Sequence, residues 1–233
     1  MKFAIISAGE GSRRAQEGVS LPKPLVQLDG QAMIDRLVQI FARNGAEQVV
    51  IIINNEVPLT KQHLAELKAR SEVPLEVIVK TTPSSMHSFY ELSRYLKEDK
   101  FCLTTVDTIF REEEFARFIE AFRQSDDDGM MAVTDYIDDE KPLYIGTDGQ
   151  LRITGFYDEA RPECRYISGG IYCLTPKAID VLQHCMDKGI SRMRNFQRGL
   201  IEEGLQLKAY PFSKILDVDH AEDIAKAEAF LQR

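Results

Sequence analysis

The sequence predicts an α/β chain, a mixed and mostly parallel sheet with helices on both faces. Two observations predict it. Through the first half, wholly apolar runs of strand length alternate with segments of helical period, and strands that are buried on both faces read this way. After Asp107 the texture changes to alternating segments joined by turn signals, which points to antiparallel pairing.

The elements follow in order. Phe3–Ile6, Val49–Ile53, Leu75–Val79 and Phe101–Val106 read as parallel strands. Between them, Ile34, Leu37, Val38 and Phe41 make a helical stripe that stops at Gly45, a C′ residue, and Phe89, Leu92 and Leu96 make another. The resulting βαβαβαβ order requires right-handed crossovers. Beyond Asp107, a helix turns Phe115, Phe118, Ile119 and Phe122 inward, and Asp148-Gly149 between two alternating segments predicts a hairpin turn. The strand RYISGGIYCL precedes two helices that begin near Pro176 and Ser191, and the chain closes with LQLKAYPF, KILDVD and a last helix. With 233 residues, 44% hydrophobic content and no low-complexity linker, one domain over residues 1–233 is expected, its halves dividing near residue 107.

Composition excludes several function classes. A formal charge of −8 opposes wrapping nucleic acid or anionic lipid by bulk electrostatics, although a local basic cluster can still grip a phosphate. No apolar run approaches the roughly 20 residues a membrane span requires, and no leader pattern opens the chain, so a cytoplasmic protein is expected. Cys102, Cys164, Cys173 and Cys185 show no CxxC spacing, which disfavours a zinc ribbon or redox motif and predicts reduced thiols.

The chemistry concentrates in SAGEGSRRAQEGVSLPKPL, Ser7 to Leu25. A dinucleotide turn wants GxGxxG; Gly9 and Gly11 fit, but Arg14 stands where the third glycine belongs. The GxxxxGK of a Walker loop does not occur. What remains is a small-residue turn at a strand's carboxyl end, offering N–H groups to an anion, with Arg13 and Lys23 adding charge from either side. Lys23 lies between two prolines that set its backbone direction. The plainer alternative is an ordinary strand-to-helix turn with surface cations.

Other candidates each have a structural alternative. Asp107 ends the fourth strand, as a turn or capping aspartate would. Asp217 and Asp219 lie two apart in an extended segment, sharing a face while Val218 points away; Asp219 also reads as the N-cap of a capping box with Glu222 at N3. Thr81 to Ser85 follow the third strand, and Ser84 and Ser85 are candidates for reading a base edge, while Ser84 is equally a good N-cap. Gly169 and Gly170 inside a strand imply close approach of a ligand or a bulge.

The order A-G-x-G-S-R followed by P-K-P-L, here Ala8, Gly9, Gly11, Ser12, Arg13, Pro22, Lys23 and Pro24, resembles the signature of the sugar-1-phosphate nucleotidyltransferases, the GT-A-like NDP-sugar pyrophosphorylases. TTVDTIF around Asp107, ISGGIYCL and the closing ILDVDHAEDIAKAE are similar to further segments of that family, so the resemblance covers nearly the whole chain. It implies a GT-A-like, Rossmann-like fold with a nucleotide-binding half over about 1–107 and an acceptor-binding half over about 108–233. It also implies transfer of a nucleoside monophosphate from an NTP to a sugar 1-phosphate or similar monoester, with release of pyrophosphate. The roles it carries over are catalysis by Arg13 and Lys23, nucleotide binding by Ala8, Gly9, Gly11 and Ser12, Mg²⁺ binding by Asp107 and Asp219 with Asp217 in reserve, and acceptor binding around Gly169 and Gly170.

Three positions depart from the family pattern: Val106 before the first metal aspartate, His220-Ala221 in place of Thr-Pro, and Arg161 where relatives carry a lysine. Two other classes stay open. A GT-A glycosyltransferase would want a DxD triplet where this chain has Asp107-Thr108-Ile109, and a non-catalytic nucleotide or sugar-phosphate binding protein would bind without turnover. The acceptor is equally open among hexose, aminosugar and heptose 1-phosphates and phosphocholine.

Overall fold

Strand β1 (Lys2–Ser7) is buried at every position after the first, and apolar from Phe3 to Ile6, because it lies between two other strands and under helices on both sides. The structure, a computed structural model, describes residues 1–8, 17–18 and 20–233. After a 3₁₀ turn at Lys23–Leu25 come the two-residue strands β2 (Gln27–Leu28) and β3 (Gln31–Ala32), then α1 (Met33–Arg43), β4 (Val49–Ile53), α2 (Pro58–Arg70), β5 (Leu75–Val79), α3 (Ser85–Ser93) and β6 (Phe101–Thr105). The second half holds β7 (Thr108–Ile109), α4 (Glu112–Arg123), β8 (Gly129–Thr134), β9 (Tyr144–Thr147), β10 (Ile153–Tyr157) and β11 (Tyr166–Leu174). It closes with α5 (Lys177–Asp187), α6 (Met193–Glu202), β12 (Leu207–Phe212), β13 (Leu216–Asp217) and α7 (Ala221–Leu231).

The predicted mixed sheet is present. Strands β6, β1, β4 and β5 are parallel neighbours in that order, and β11 joins β6 in antiparallel fashion. Beyond β11 lie β8 and then β12, while β9 and β10 extend from the other end of β11. From β1 the chain moves outward through β4 and β5 and returns to the opposite side of β1 as β6, which makes the β1/β6 junction a topological switch point. Open α/β sheets bind ligands outside the carboxyl ends of strands at such a point. Here those ends are Ser7 and Thr105, and Ile6 is in register with Thr105.

Two cores follow from the two faces of β1. Phe3 and Ile5 join Phe41, Phe115 and Phe118 with the inner sides of α1, α4 and α7, while Ala4 and Ile6 join Phe89, Phe101 and Phe196 beneath α3, α5 and α6. This alternation is the period-two geometry of a strand. Phe3, Phe41 and Phe115 form a ring triad with centroids 4.7, 5.7 and 6.3 Å apart, and each buried ring contributes about 2–3 kcal/mol of transfer free energy. Pro211 is tolerated inside β12 because that strand lies at the sheet's edge.

Three local expectations are corrected or sharpened. Gly45 does adopt the left-handed conformation, with φ +77°, directly after the α1 cap. The β9–β10 hairpin exists, but its left-handed residue is Leu151 (φ 65°) rather than Gly149, because the Asp148 carboxylate folds the turn by accepting from the Gln150 and Arg152 N–H groups. The β11 bulge lies between Ser168 and Tyr172. A Cβ at Gly169 would collide with the Ile215 side chain and lie 3.0 Å from the Ala132 carbonyl oxygen, so packing accounts for that glycine. Gly169→Ala is therefore expected to cost about 1–3 kcal/mol by overpacking, whereas Gly149→Ala, facing open space, leaves stability within about 0.5 kcal/mol of wild type; denaturant unfolding of the pair checks this.

Candidate active site

Pro24 and Leu25 bury the 3₁₀ turn and leave Lys23 at its start, largely covered. Its ammonium donates to Asp107 Oδ2 at 2.6 Å and to Asp219 Oδ1 at 3.2 Å. Residues 23, 107 and 219 thus meet at the switch point. A two-residue antiparallel ribbon performs the joining: β13 pairs with β7, so Leu216 lies opposite Ile109 and Asp217 opposite Thr108. The Val218 N–H then donates to the Asp107 carbonyl at 3.1 Å. Val218, Leu216 and Ile109 are buried, and Asp217 and Asp219 face outward as the alternation requires. Thr108 Oγ1 donates to Asp217 Oδ1 at 3.4 Å and exchanges a 2.7 Å hydrogen bond with Thr105 Oγ1.

Asp219 is not the helix cap. His220 is the N-cap of α7, and Asp223, not Glu222, accepts from the His220 and Asp219 N–H groups at 2.8 and 3.0 Å. This one-residue shift releases the Asp219 carboxylate to Lys23. Ser84 does cap α3, its hydroxyl accepting from the His87 N–H and bonded to His87 Nδ1 at 2.7 Å.

The carboxylates are held in unlike states. Burial pushes Asp107 up, but the charge and hydrogen bond of Lys23 outweigh it and hold the group below its ordinary value. Enclosure by the cleft walls, then the charges of Asp107, Asp219 and Asp139, push Asp217 well above it, although the residue keeps solvent contact at the cleft mouth. Oxygen-only donors suit Mg²⁺, which is typically held by one or two carboxylates together with substrate phosphates rather than by an all-protein cage. Among the described residues no three His, Cys, Asp or Glu side chains form such a cage, while Asp107 and Asp219 already converge on a single cation. The donor set therefore fits that ion.

Two cavities share Asp107 of this cluster. One, of about 400 Å³, is bounded by Ser7, Ala8, Lys23, Thr81–Ser85 and Asp107. The other, of about 350 Å³, is bounded by Asp107, Asp217, Lys141, Gly170, Tyr172, Arg192, Arg194 and Gln197. Ser84, Ser85, Thr105 and Asp107 line both, so ligands in the two would meet at Asp107. A third and larger space, about 780 Å³, lies beyond Asp217 and Asp219 and is walled by Glu17, Asp138, Asp139, Glu140, Glu222 and Asp223. Its negative field opposes phosphate.

Of the candidates named from the sequence, the structure brings Lys23, Asp107, Asp217, Asp219, Ala8, Ser84, Ser85 and Gly170 around one junction. Gly169 is held by packing, and Gly9, Gly11, Ser12 and Arg13 lie outside the described residues. Arg161 is exposed and stacks on Tyr157 at 3.8 Å, away from both cavities. Lys141, Arg192, Arg194 and Gln197 went unnoticed. Only Gln197 of the four carried a signal, as a polar residue between Phe196 and Leu200 on the apolar stripe of α6.

Residues 4–198 match the MobA-like NTP transferase domain. The chain belongs to that family. It is 23% identical, over its whole length and 52% of the relative's, to the bifunctional protein GlmU of Clostridioides difficile. It is also 23% identical, over 78% of its own length and 51% of the relative's, to a mannose-1-phosphate guanyltransferase of Yarrowia lipolytica. The chain spans about half the length of the curated relatives it matches. Among solved structures it superposes on the inositol-1-phosphate CTP transferase from T. maritima with a TM-score of 0.79 and 18% identity, covering 99% of this chain and 97% of the other. That match shows the fold. As an NTP transferase domain, the chain carries the family's resemblance beyond its opening loop. None of its described helices is long and apolar enough to cross a membrane.

Proposed function

We propose that the chain transfers a nucleoside monophosphate from an NTP to a small phosphate monoester of the sugar 1-phosphate type, releasing pyrophosphate. The observation that carries this reading is the meeting of two cavities at Asp107, the carboxylate that Lys23 bonds together with Asp219, in a chain of the NTP transferase family. The cavity beside Ser7 and Thr81–Ser85 takes the nucleotide, and the cavity beside Arg192 and Gly170 takes the acceptor.

In the reaction, a monoester oxygen bonds to the α-phosphorus as the bond to the β-phosphate oxygen breaks. A phosphate monoester is largely dianionic at neutral pH, its second pKa being about 6, so no general base is required. Catalysis reduces to positioning and charge stabilisation. Lys23, held by two carboxylates on a proline-braced turn, supplies positive charge at the α-phosphate. Arg13 is assigned the leaving pyrophosphate. Mg²⁺, held by Asp107 and Asp219 with Asp217 nearby, would supply charge neutralisation of the phosphate oxygens. Lys141, Arg192 and Arg194 on the acceptor wall provide cations for the monoester. These substrates are soluble phosphorylated metabolites, and the reading carries a cytoplasmic site of action with no nucleic acid partner.

Arg192 yields a separable result. It adopts φ 75° and ψ 137° at the start of α6, a backbone region costing a non-glycine residue of order 1–3 kcal/mol. Arg192→Gly is expected to keep or raise the melting temperature while raising the acceptor KM about tenfold or more and leaving the NTP KM unchanged. Mass spectrometry of the nucleotide product tests the function itself: the acceptor phosphate must appear joined to the nucleoside monophosphate, and recovery of free nucleoside monophosphate alone refutes the transfer.

A further inference from the structure

His220 bridges two carboxylates that come from opposite sides of the site. Its Nδ1 is 2.8 Å from Glu17 Oε1 and its Nε2 is 3.3 Å from Glu140 Oε1, an arrangement in which the protonated ring donates at both nitrogens. Glu17 is doubly engaged, its second oxygen accepting from the Ala221 N–H at 2.6 Å. A carboxylate suits that position, because the first N–H groups of α7 have no partner within the helix. The Thr-Pro of the family pattern could not build this arrangement. Proline has no N–H to donate, and threonine has one short hydroxyl where the imidazole has two ring nitrogens. Glu17 therefore uses both residues by which this chain departs from the pattern.

The two carboxylates belong to the walls of different cavities. Glu17 lies on the segment between Ala8 and Lys23, which bound the nucleotide cavity. Glu140 lies between Asp139 and Lys141, which bound the acceptor cavity. The loop that carries Glu140 is fastened on its other flank by the Arg194 guanidinium, which donates to the Lys141 carbonyl at 2.9 Å. We propose that His220 is a positioning residue for both substrates, its Nδ1 holding the nucleotide side through Glu17 and its Nε2 holding the acceptor side through Glu140. This rests on the transferase reading above and adds to it how the two walls are kept in one frame. His220 itself lines neither cavity, so it acts through these carboxylates.

Substitution separates the two nitrogens, since the amide of asparagine reaches the position of Nδ1 and that of glutamine the position of Nε2. In steady-state kinetics over NTPs and phosphate monoesters, His220→Asn is expected to keep the NTP KM and raise the acceptor KM, and His220→Gln to do the reverse. Both ion pairs are partly exposed, so each shift is about threefold to fivefold. The kcat is expected to stay within about twofold of wild type, as loss of binding shared by ground and transition states requires. Glu140→Gln is expected to raise the acceptor KM as well, and its double variant with His220→Asn to fall short of the product of the two effects. Both KM values rising together in each variant, KM values that do not move, or a fully multiplicative double variant overturns the proposal. Hydrogen exchange on the same proteins separates that result from failure of the transferase reading. The Lys141 N–H, which donates to Asp139, is expected to exchange faster in His220→Asn. The Leu25 and Val26 N–H groups, which close the turn at Lys23, are expected to exchange faster in His220→Gln. If no NTP and monoester pair turns over while exchange follows this pattern, the transferase reading fails and the positioning by His220 stands. Exchange equal to wild type at both places overturns the positioning.

Discussion

Lys23→Ala is expected to slow pyrophosphate release about 10²–10³-fold, the usual loss when one preorganised positive or hydrogen-bonding group is removed from a reacting phosphate or oxyanion, and to destabilise the fold at the same time. The structural half follows from the pairing. The Asp107 side chain is only 13% exposed and Lys23 18%, so the variant strands a largely buried carboxylate beside Asp217 and Asp219. Breaking a fully buried pair costs about 3–5 kcal/mol; with Asp219 43% exposed and water at the cleft, about 2 kcal/mol is expected here. The pH dependence has a defined sign. Asp107, held below 3.8 by Lys23, contributes stability above that pH and loses it as the pH falls further. Asp217, held above 3.8, does the reverse, its stability falling as pH rises. Without Lys23 the first contribution disappears and the second remains, so the stability maximum moves toward acid. Chemical unfolding from pH 3 to pH 8 measures it, and an unmoved maximum would contradict the pairing.

Asp107→Asn is expected to cost at least as much activity, about 10³-fold, with little change in stability. The carboxylate is removed from a site crowded with acids, and Lys23 keeps Asp219. Activity and stability therefore separate between the two variants: both are slow, and only Lys23→Ala is weakened. In the double variant the stability loss is expected to shrink, because the stranded charge is gone, with a coupling of about 1–2 kcal/mol for residues in direct contact. A double variant that melts lower than Lys23→Ala would place the stabilisation elsewhere.

Much of this arrangement was legible in the residues. Val49–Ile53 and Phe3–Ile6 announce strands covered on both faces because no polar residue interrupts them, and both are buried. Lys23 and Asp107 could be chosen because each lies where a strand or a proline-bounded turn must end. The parts that escaped depend on few residues or on distant contacts. The β7–β13 ribbon has two residues per strand, too short for any periodicity, yet it brings residues 217–219 to residue 107. The capping box was read one residue early because Asp219-Glu222 and His220-Asp223 both satisfy the spacing, and only the packing of Val218 under the sheet selects the second. The acceptor wall was illegible for a different reason: Lys141 and Arg192 come from loops after β8 and before α6, and no local pattern says that they face each other.

Two outcomes concern the second half of the chain. Arg161 stacks on Tyr157, away from the cavity that Lys141, Arg192 and Arg194 line. Gly170, with φ +75°, keeps the strand backbone open to the cavity without a side chain.

The central claim is that nucleotide and acceptor meet at Asp107. The most direct measurement is Mg²⁺-dependent pyrophosphate release by the wild-type protein over the four NTPs crossed with a panel of hydroxylated phosphate monoesters, with Asp107→Asn run alongside. The account predicts at least one NTP and acceptor pair that releases pyrophosphate in step with consumption of the acceptor, and loss of that release in the variant. Release that persists at the wild-type rate in Asp107→Asn, or a matrix with no release at all, would contradict it.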